Sequence, residues 1–127
     1  VSVTAAINSI KTINKMKNSL YEKLERNCEL LVDEIDDLAT DYKIPHQINS
    51  IASMFQIFFS SKPVVDYKSS KKSNTKKFHK LFSSLLKNGV FIAPSQYETV
   101  FLSDAHSDVD ITKTLGAYGL SLKAVKN

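Results

Sequence analysis

The chain has 127 residues, of which 43% are hydrophobic and 24% charged, which is typical of one soluble globular domain with a buried core. No apolar run approaches the ~18–20 residues that cross a bilayer, so we expect no membrane partner. The first ten residues, VSVTAAINSI, lack both the features of a signal peptide and an initiator Met. We therefore expect either a removed leader or a longer parent chain.

The net charge of +4 is concentrated in one segment. Residues Lys68–Lys77, KSSKKSNTKK, hold five lysines and no acidic residue. Nucleic-acid sites usually add arginine and interleaved aromatic residues, whereas Arg26 is the single arginine of the chain. The segment is therefore interpreted as a solvated loop and no nucleic-acid partner is predicted, with an independent basic binding module as the alternative.

Cysteine, histidine and glycine usage narrows the classes of function. The single Cys28 cannot form an internal disulfide, which favours a reducing compartment and hence a cytoplasmic protein. His46, His79 and His106 share no ligand spacing, so no metal site is predicted. The three glycines form no phosphate-binding motif, which argues against a self-contained nucleotide site.

Two helices are predicted in the first third of the chain. Apolar residues at helical spacing indicate a helix from about Thr4 to Lys17. A break is predicted after it, at Asn18 and Ser19. Ser19, with Glu22 three residues later, forms a capping box for a second helix. Its apolar stripe is more typical of a helix lying on a sheet than of a coiled coil, and consists of Tyr21, Leu24, Cys28, Leu31, Ile35, Leu38 and Tyr42.

Two strands are predicted after Pro45, which ends the second helix. The segment 46–49 is weakly extended, 49–50 is turn-like, and Ser53–Phe59 is a strong strand. Because this strand is apolar on both faces, we expect it to lie inside a sheet or against another domain. In the isolated chain it would then leave an exposed apolar patch that favours self-association.

The second half of the chain predicts two helices and two strands. Ser73 or Asn74 caps a helix that ends before Gly89, and Ser107 opens the last helix with an S-x-x-D cap. Between them, Val90–Ala93 and Val100–Leu102 read as short strands around a polar loop. The order α-α-β-β-α-β-β-α, with short connections, predicts an α+β fold in which helices cover a small antiparallel or mixed sheet.

The polar loop is the candidate site, because loops on a rigid scaffold often carry function. It contains Ser95, Gln96 and Glu98. The serines and the acidic residues near His106 do not make a catalytic triad, whose members normally come from distant elements. A carboxylate in such a loop is most often solvated, although it can also face a ligand. From the residues alone the chain is an α+β module with a loop of unknown purpose.

Four segments resemble the glutamate-1-semialdehyde 2,1-aminomutase family of pyridoxal-phosphate (PLP) enzymes. GVFIAPSQYE at 89–98 and SDAH at 103–106 resemble its APSQ-aromatic-E and S-x-A-H motifs. SIASMFQIFF at 50–59 is similar to its G-S-M-F strand, with Ala52 where the family usually has Gly. VVDYKSSKKSNTKKF at 64–78 resembles its V-x-x-Y-x-x-x-K-x-S-(D/N)-T-x-x-F segment, and the likeness extends in order over nearly the whole chain.

The resemblance implies that residues 1–127 are the C-terminal small domain of such an enzyme, as in fold-type I PLP-dependent transferases. The large domain, with the catalytic lysine and the cofactor-binding residues, would lie outside this sequence, so the isolated chain is expected to be inactive. The full-length homodimer would isomerise glutamate-1-semialdehyde to 5-aminolevulinate in porphyrin biosynthesis. Glu98, with Ser95 and Gln96 beside it, would help to place the substrate. The alternative is the small domain of another PLP aminotransferase of the same subgroup.

Overall fold

The computed structural model describes residues 1–126, and it has helices packed against a three-stranded antiparallel sheet. The sheet order is β1-β2-β3, with β2 in the centre. The predicted α+β class with a small antiparallel sheet is confirmed. The elements are α1 Ser2–Asp41, β1 Gln47–Ile51, β2 Met54–Phe58, α2 Tyr67–Ser70, α3 Thr75–Lys87, β3 Val100–Phe101 and α4 Asp108–Lys126.

A single helix of 40 residues, α1, occupies the region where two helices were predicted, so the predicted break is wrong. The hydroxyl of Ser19 donates to the carbonyl oxygen of Met16 at 3.0 Å, within the helix, and does not cap a new one. Asn and Ser are only mildly unfavourable inside a helix, and no Gly or Pro interrupts the segment. The helix ends near Lys43, whose φ is 57°, where the Ile44 amide donates to the Ala39 carbonyl oxygen.

The core lies between the C-terminal half of α1, the helix α4 and one face of β2. Helix α4 packs against both α1 and α3. Its Tyr118 contacts Phe55 of β2, with ring centroids 6.5 Å apart and planes tilted by 51°. Cys28 is buried in this core, and burial raises the pKa of its thiol, helped by the nearby Glu29 carboxylate. The residue therefore packs as a small neutral hydrophobe.

The second face of β2 is covered, so the predicted exposed patch on this strand is wrong. Phe58 is 9% exposed and Gln56 is 6% exposed. Phe58 shares a surface groove with Val64, Tyr67 and Tyr97, which come from the segments that cross this face. The large apolar side chains that remain exposed belong mostly to other parts of the chain.

The capping predictions for α3 and α4 are confirmed. The side chain of Asn74, rather than Ser73, accepts from the Lys77 amide at 3.0 Å. Ser107 and Asp110 form a reciprocal pair: the Ser107 amide donates to the Asp110 carboxylate at 2.9 Å, and the Asp110 amide donates to the Ser107 hydroxyl at 3.3 Å. The hydrogen bonds from Ser107 lower the pKa of the Asp110 carboxyl.

Two strand predictions need correction, and one helix was missed. Residues 90–93 lie outside the strands, and of the predicted 100–102 strand only Val100–Phe101 pairs with β2. The short helix α2 has its own capping box, in which Asp66 accepts from the Ser69 amide. Among the described residues no helix is long and apolar enough to cross a membrane.

The hairpin between β1 and β2 forces an alanine into a left-handed conformation. Ile51 and Met54 are the last paired residues, and Ala52, one of the two residues between them, has a φ of 50°. The predicted turn at 49–50 is wrong, because those residues lie within β1. A hairpin turn with positive φ at its first central residue favours glycine, since a Cβ is strained there.

We therefore expect Ala52→Gly to raise the free energy of unfolding by about 0.5–1 kcal/mol, because relief of strain exceeds the added entropy of the unfolded chain. Urea unfolding measures this. Ala124→Gly, in an exposed turn of α4, is the matched control and should lower stability by about 1 kcal/mol. A lower urea midpoint for Ala52→Gly would show that the turn is not strained.

Candidate functional site

The candidate loop crosses β2 on the face opposite to Phe55. Within it, residues 95–98 form a tight turn in which the Glu98 amide donates to the Ser95 carbonyl oxygen at 3.1 Å. The Ser95 hydroxyl accepts from the Tyr97 amide at 3.2 Å. The carbonyl oxygen and the hydroxyl of Ser95 therefore both form hydrogen bonds within the turn.

Gln96 anchors the turn to the domain and does not lie on its surface. Its side chain is 1% exposed, and its amide nitrogen donates to the Ser70 carbonyl oxygen at 3.1 Å. The backbone carbonyl oxygen of Gln96 accepts a hydrogen bond from the side-chain amide of Gln56 at 2.8 Å. The loop is thus tied to α2 by one hydrogen bond and to the central strand by another.

Gln56 is the residue of this arrangement that sequence reasoning missed. It is buried in the middle of β2, between apolar neighbours. A buried polar group is costly unless it is hydrogen-bonded, so an amide inside an apolar strand is itself a signal of a specific partner. The sequence contains that signal as the glutamine in MFQIF. It does not identify the hydrogen-bond partner, Gln96, which lies 40 residues away.

An aromatic pair secures the outer side of the turn. The rings of Tyr97 and Tyr67 have centroids 5.7 Å apart and planes inclined by 52°. The Lys71 ammonium lies 5.6 Å from the Tyr67 ring centroid. These contacts hold the turn against α2 at the surface, beside the buried Gln96 anchor.

Glu98 is the member of the predicted trio that faces outward. Its side chain is exposed, and it makes no ion pair with any residue in the described range 1–126. The three predicted residues are therefore brought together in one turn, but with different roles. Ser95 shapes the turn, Gln96 fixes it, and Glu98 is exposed on its surface.

The SDAH segment forms a second turn and links α4 to α1. The Ser103 amide donates to Nδ1 of His106 at 3.2 Å, and the His106 amide donates back to the Ser103 carbonyl oxygen at 3.1 Å. Asp104 forms an ion pair with Lys23 of α1, with 2.8 Å between Oδ1 and Nζ. The hydrogen bonds of Ser103 and His106 shape this turn, and the Asp104 carboxylate joins it to α1.

The residues of the candidate loop do not fit a phosphate-bearing cofactor. The Tyr97 and Glu98 amides are both bonded to Ser95, and phosphate sites rely on free backbone amides and positive charge. The outward charge here is a carboxylate, which would repel a phosphate. No chemical step through a cofactor is therefore assigned to these residues. In residues 1–126, His, Cys, Asp and Glu side chains form no cluster that could hold a metal ion.

We expect Gln96→Ala to lower the free energy of unfolding by about 2 kcal/mol, because it removes the buried hydrogen bond to the Ser70 carbonyl oxygen, which then keeps only the Ser73 amide as donor, and leaves a cavity where the side chain was. Thermal or urea unfolding measures the change. Glu98→Ala, two residues away and exposed, is the control and should stay within about 0.5 kcal/mol of the parent protein. Equal effects of the two substitutions would contradict the anchoring role of Gln96.

Comparison with known proteins identifies relatives along the whole chain, although no family model matches it. It is 66% identical over 127 residues to a glutamate-1-semialdehyde 2,1-aminomutase of Nitrosopumilus maritimus (strain SCM1), covering 100% of this chain and 30% of that protein. It is 47% identical over 126 residues to glutamate-1-semialdehyde 2,1-aminomutase 1 of Cenarchaeum symbiosum (strain A), covering 99% and 30%. The aminomutase of Methanococcus vannielii is 41% identical over 123 residues, covering 97% and 28%.

Solved structures with the same fold include an omega-transaminase and a protein with PLP bound. An omega-transaminase from Sphaerobacter thermophilus superposes with a TM-score of 0.74 at 16% identity, covering 91% of this chain and 26% of that one. The FumI protein of Sphingopyxis sp. MTA144, in its PLP internal aldimine form, gives a TM-score of 0.71 at 24% identity, covering 91% and 25%. At these identities the likeness establishes a shared fold.

The chain spans 30% of the length of the first two curated relatives, so most of their residues lie outside the matched region. The aligned region covers this chain from end to end, and it therefore includes all four segments that carry the resemblance in the sequence. The resemblance is therefore confirmed: along its whole length this chain corresponds to a part of a glutamate-1-semialdehyde 2,1-aminomutase.

Proposed function

We propose that residues 1–127 form the C-terminal small domain of a PLP-dependent glutamate-1-semialdehyde 2,1-aminomutase whose large domain lies outside this sequence. The observation that carries the proposal is the 66% identity over the entire chain to an aminomutase. The full-length enzyme isomerises glutamate-1-semialdehyde to 5-aminolevulinate by intramolecular amino exchange, a reaction of porphyrin biosynthesis. We further propose that it is a cytoplasmic homodimer.

The chemistry of the loop residues indicates what this domain contributes to the reaction and what the cofactor contributes. PLP, when bound to the full-length enzyme, supplies the electron sink for the amino exchange. The candidate loop carries a carboxylate, and its Tyr97 and Glu98 amides are bonded to Ser95, so we propose that its contribution is to bind and orient the substrate. The isolated 127-residue chain is accordingly inactive.

Glu98 is the residue that we propose to face the substrate. Its carboxylate attracts the amino group of glutamate-1-semialdehyde and repels the carboxylate of the same molecule, which orients the amino end toward the loop. The neighbouring Gln96 is buried and bonded to Ser70, so the backbone under Glu98 is held in place before the substrate arrives. Such preorganisation lowers the cost of orienting a substrate.

The proposal is tested with the full-length protein that contains this chain. Supplied with glutamate-1-semialdehyde and PLP, it should form 5-aminolevulinate without any second amino donor or acceptor. If it forms none, and instead transfers the amino group to a separate oxo acid, the chain is the small domain of an aminotransferase.

We expect Glu98→Gln in the full-length enzyme to raise KM for glutamate-1-semialdehyde by about tenfold, because a charge-assisted contact worth ~1.4 kcal/mol is replaced by a neutral one. Steady-state kinetics at saturating PLP measure the change. Glu29→Gln, on the exposed side of α1, removes the same charge elsewhere and should leave KM unchanged. An unaltered KM for Glu98→Gln would mean that this carboxylate is merely solvated.

A further inference from the structure

A groove between α3 and the end of α4 is lined mainly by cationic and hydroxyl side chains. Its volume is ≈ 490 Å³. Lys76, Lys80, Ser83 and Lys87 recur along α3 at intervals of four, three and four residues, which places them on one side of the helix. The full lining consists of Lys76, His79, Lys80, Ser83, Ser84 and Lys87, with Ala124 opposite them on α4. We call this feature the α3 groove.

The charge of the segment around the α3 groove has one sign. Residues 67–97 contain seven lysines and no Asp or Glu. The acidic residues are concentrated elsewhere, since α1 alone carries eight of the 13. Within residues 1–126, the groove lysines form no ion pair. Their charge is therefore not compensated by the domain itself.

The positions of these lysines are unfavourable for α3. Lys76 and Lys77 lie in its first turn, where the helix dipole is positive and an acidic residue would be stabilising, yet that turn contains none. Lys76 and Lys80 are four residues apart, a spacing at which like charges on a helix repel each other. A local rule that is broken without a gain inside the fold is typical of a functional surface.

The α3 groove lies on the helical side of the domain. Helix α4 packs on the face of the sheet that carries Phe55, and α3 packs on α4. The Glu98 turn crosses the opposite face of the sheet. The proposed function places the substrate beside Glu98, so we expect the groove to face away from the reaction and to stay accessible in the full-length enzyme.

The length and composition of the groove indicate the chemistry of its ligand. Lys76 and Lys87 are separated by ~16 Å along the helix axis, so one small anion cannot contact both, and the ligand must carry several negative charges along its length. Among the described residues that line the groove there is neither an arginine nor an aromatic side chain, which nucleic-acid sites use to grip phosphates and stack bases. Carboxylates need only single donors, which lysine and serine supply.

We propose that the α3 groove binds an acidic segment of another protein, with Lys76, Lys80 and Lys87 pairing with its carboxylates and Ser83 donating a hydrogen bond between them. The inference goes beyond the proposed function, because the amino exchange does not need this surface; only the accessibility of the groove rests on the proposed function. The ion pairs are exposed to solvent, so each contributes little, and binding depends on their number and on the salt concentration.

Binding of a fluorescent oligoglutamate to the full-length protein tests the proposal. A peptide of about twelve glutamates, ~18 Å long as a helix and longer when extended, spans the groove. Fluorescence anisotropy should show binding that weakens as salt is added. Lys76→Gln/Lys80→Gln should weaken it by about fivefold, because two exposed ion pairs are lost. Lys43→Gln/Lys62→Gln removes the same charge from other exposed positions, and this matched control should bind as the parent protein does.

A second measurement checks that the groove variant is intact. At low salt, Lys76→Gln/Lys80→Gln should slow hydrogen exchange of the α3 amides, because repulsion is relieved while Gln and Lys have similar helix propensities. Faster exchange in this variant would contradict the argument, since the two lysines would then stabilise the helix and not a complex.

Three binding results would overturn the proposal. Equal losses in the two double variants would mean that net charge alone attracts the peptide. Tighter binding of a single-stranded oligouridylate of equal charge would identify nucleic acid as the ligand. Self-association that is lost in Lys76→Gln/Lys80→Gln would identify the acidic side of α1 in a second copy as the occupant. Conversion of glutamate-1-semialdehyde is measured on the same preparation. Activity without selective peptide binding rejects only the groove, whereas selective binding without activity rejects only the proposed function.

Discussion

One constraint underlies this domain: α1 is apolar along one side over a length that the domain itself cannot cover. The C-terminal half of that side supplies Cys28, Leu31, Ile35 and Ala39 to the core. Against it pack α4 and, through Phe55 and Ile57, the central strand. The sheet has only three short strands and could not form a core without these helices. The rest of the fold is therefore arranged around half of one helix.

Local chemistry predicted the parts of the fold that depend on neighbours in sequence. The caps of α3 and α4 use Asn74 and Ser107, each within three residues of its partner. The capping-box reading of Ser19 failed, because a polar residue caps a helix only where the helix begins. The apolar periodicity on either side of Ser19 has one common phase, and that continuity was the stronger signal.

The strand at 90–93 and the detail of the loop depended on long-range contacts, which sequence patterns do not contain. An apolar run becomes a strand only if another strand lies beside it, and residues 90–93 lack one within the described chain. The motif located the loop in the sequence, but it did not show which of the three polar side chains is buried and which is exposed. Gln96 bonds to a carbonyl 26 residues away and Gln56 to one 40 residues away. Those long-range bonds bury Gln96, whereas Glu98, two residues later, is exposed.

The anchoring of the loop has a consequence for motion. The Glu98 turn is fastened to both the central strand and α2, so it cannot swing as a separate flap without breaking the Gln56 and Gln96 hydrogen bonds. Any rigid-body movement of the domain would therefore carry the carboxylate with it. A small rotation of the whole domain would then be enough to change the position of Glu98 relative to the rest of the full-length protein.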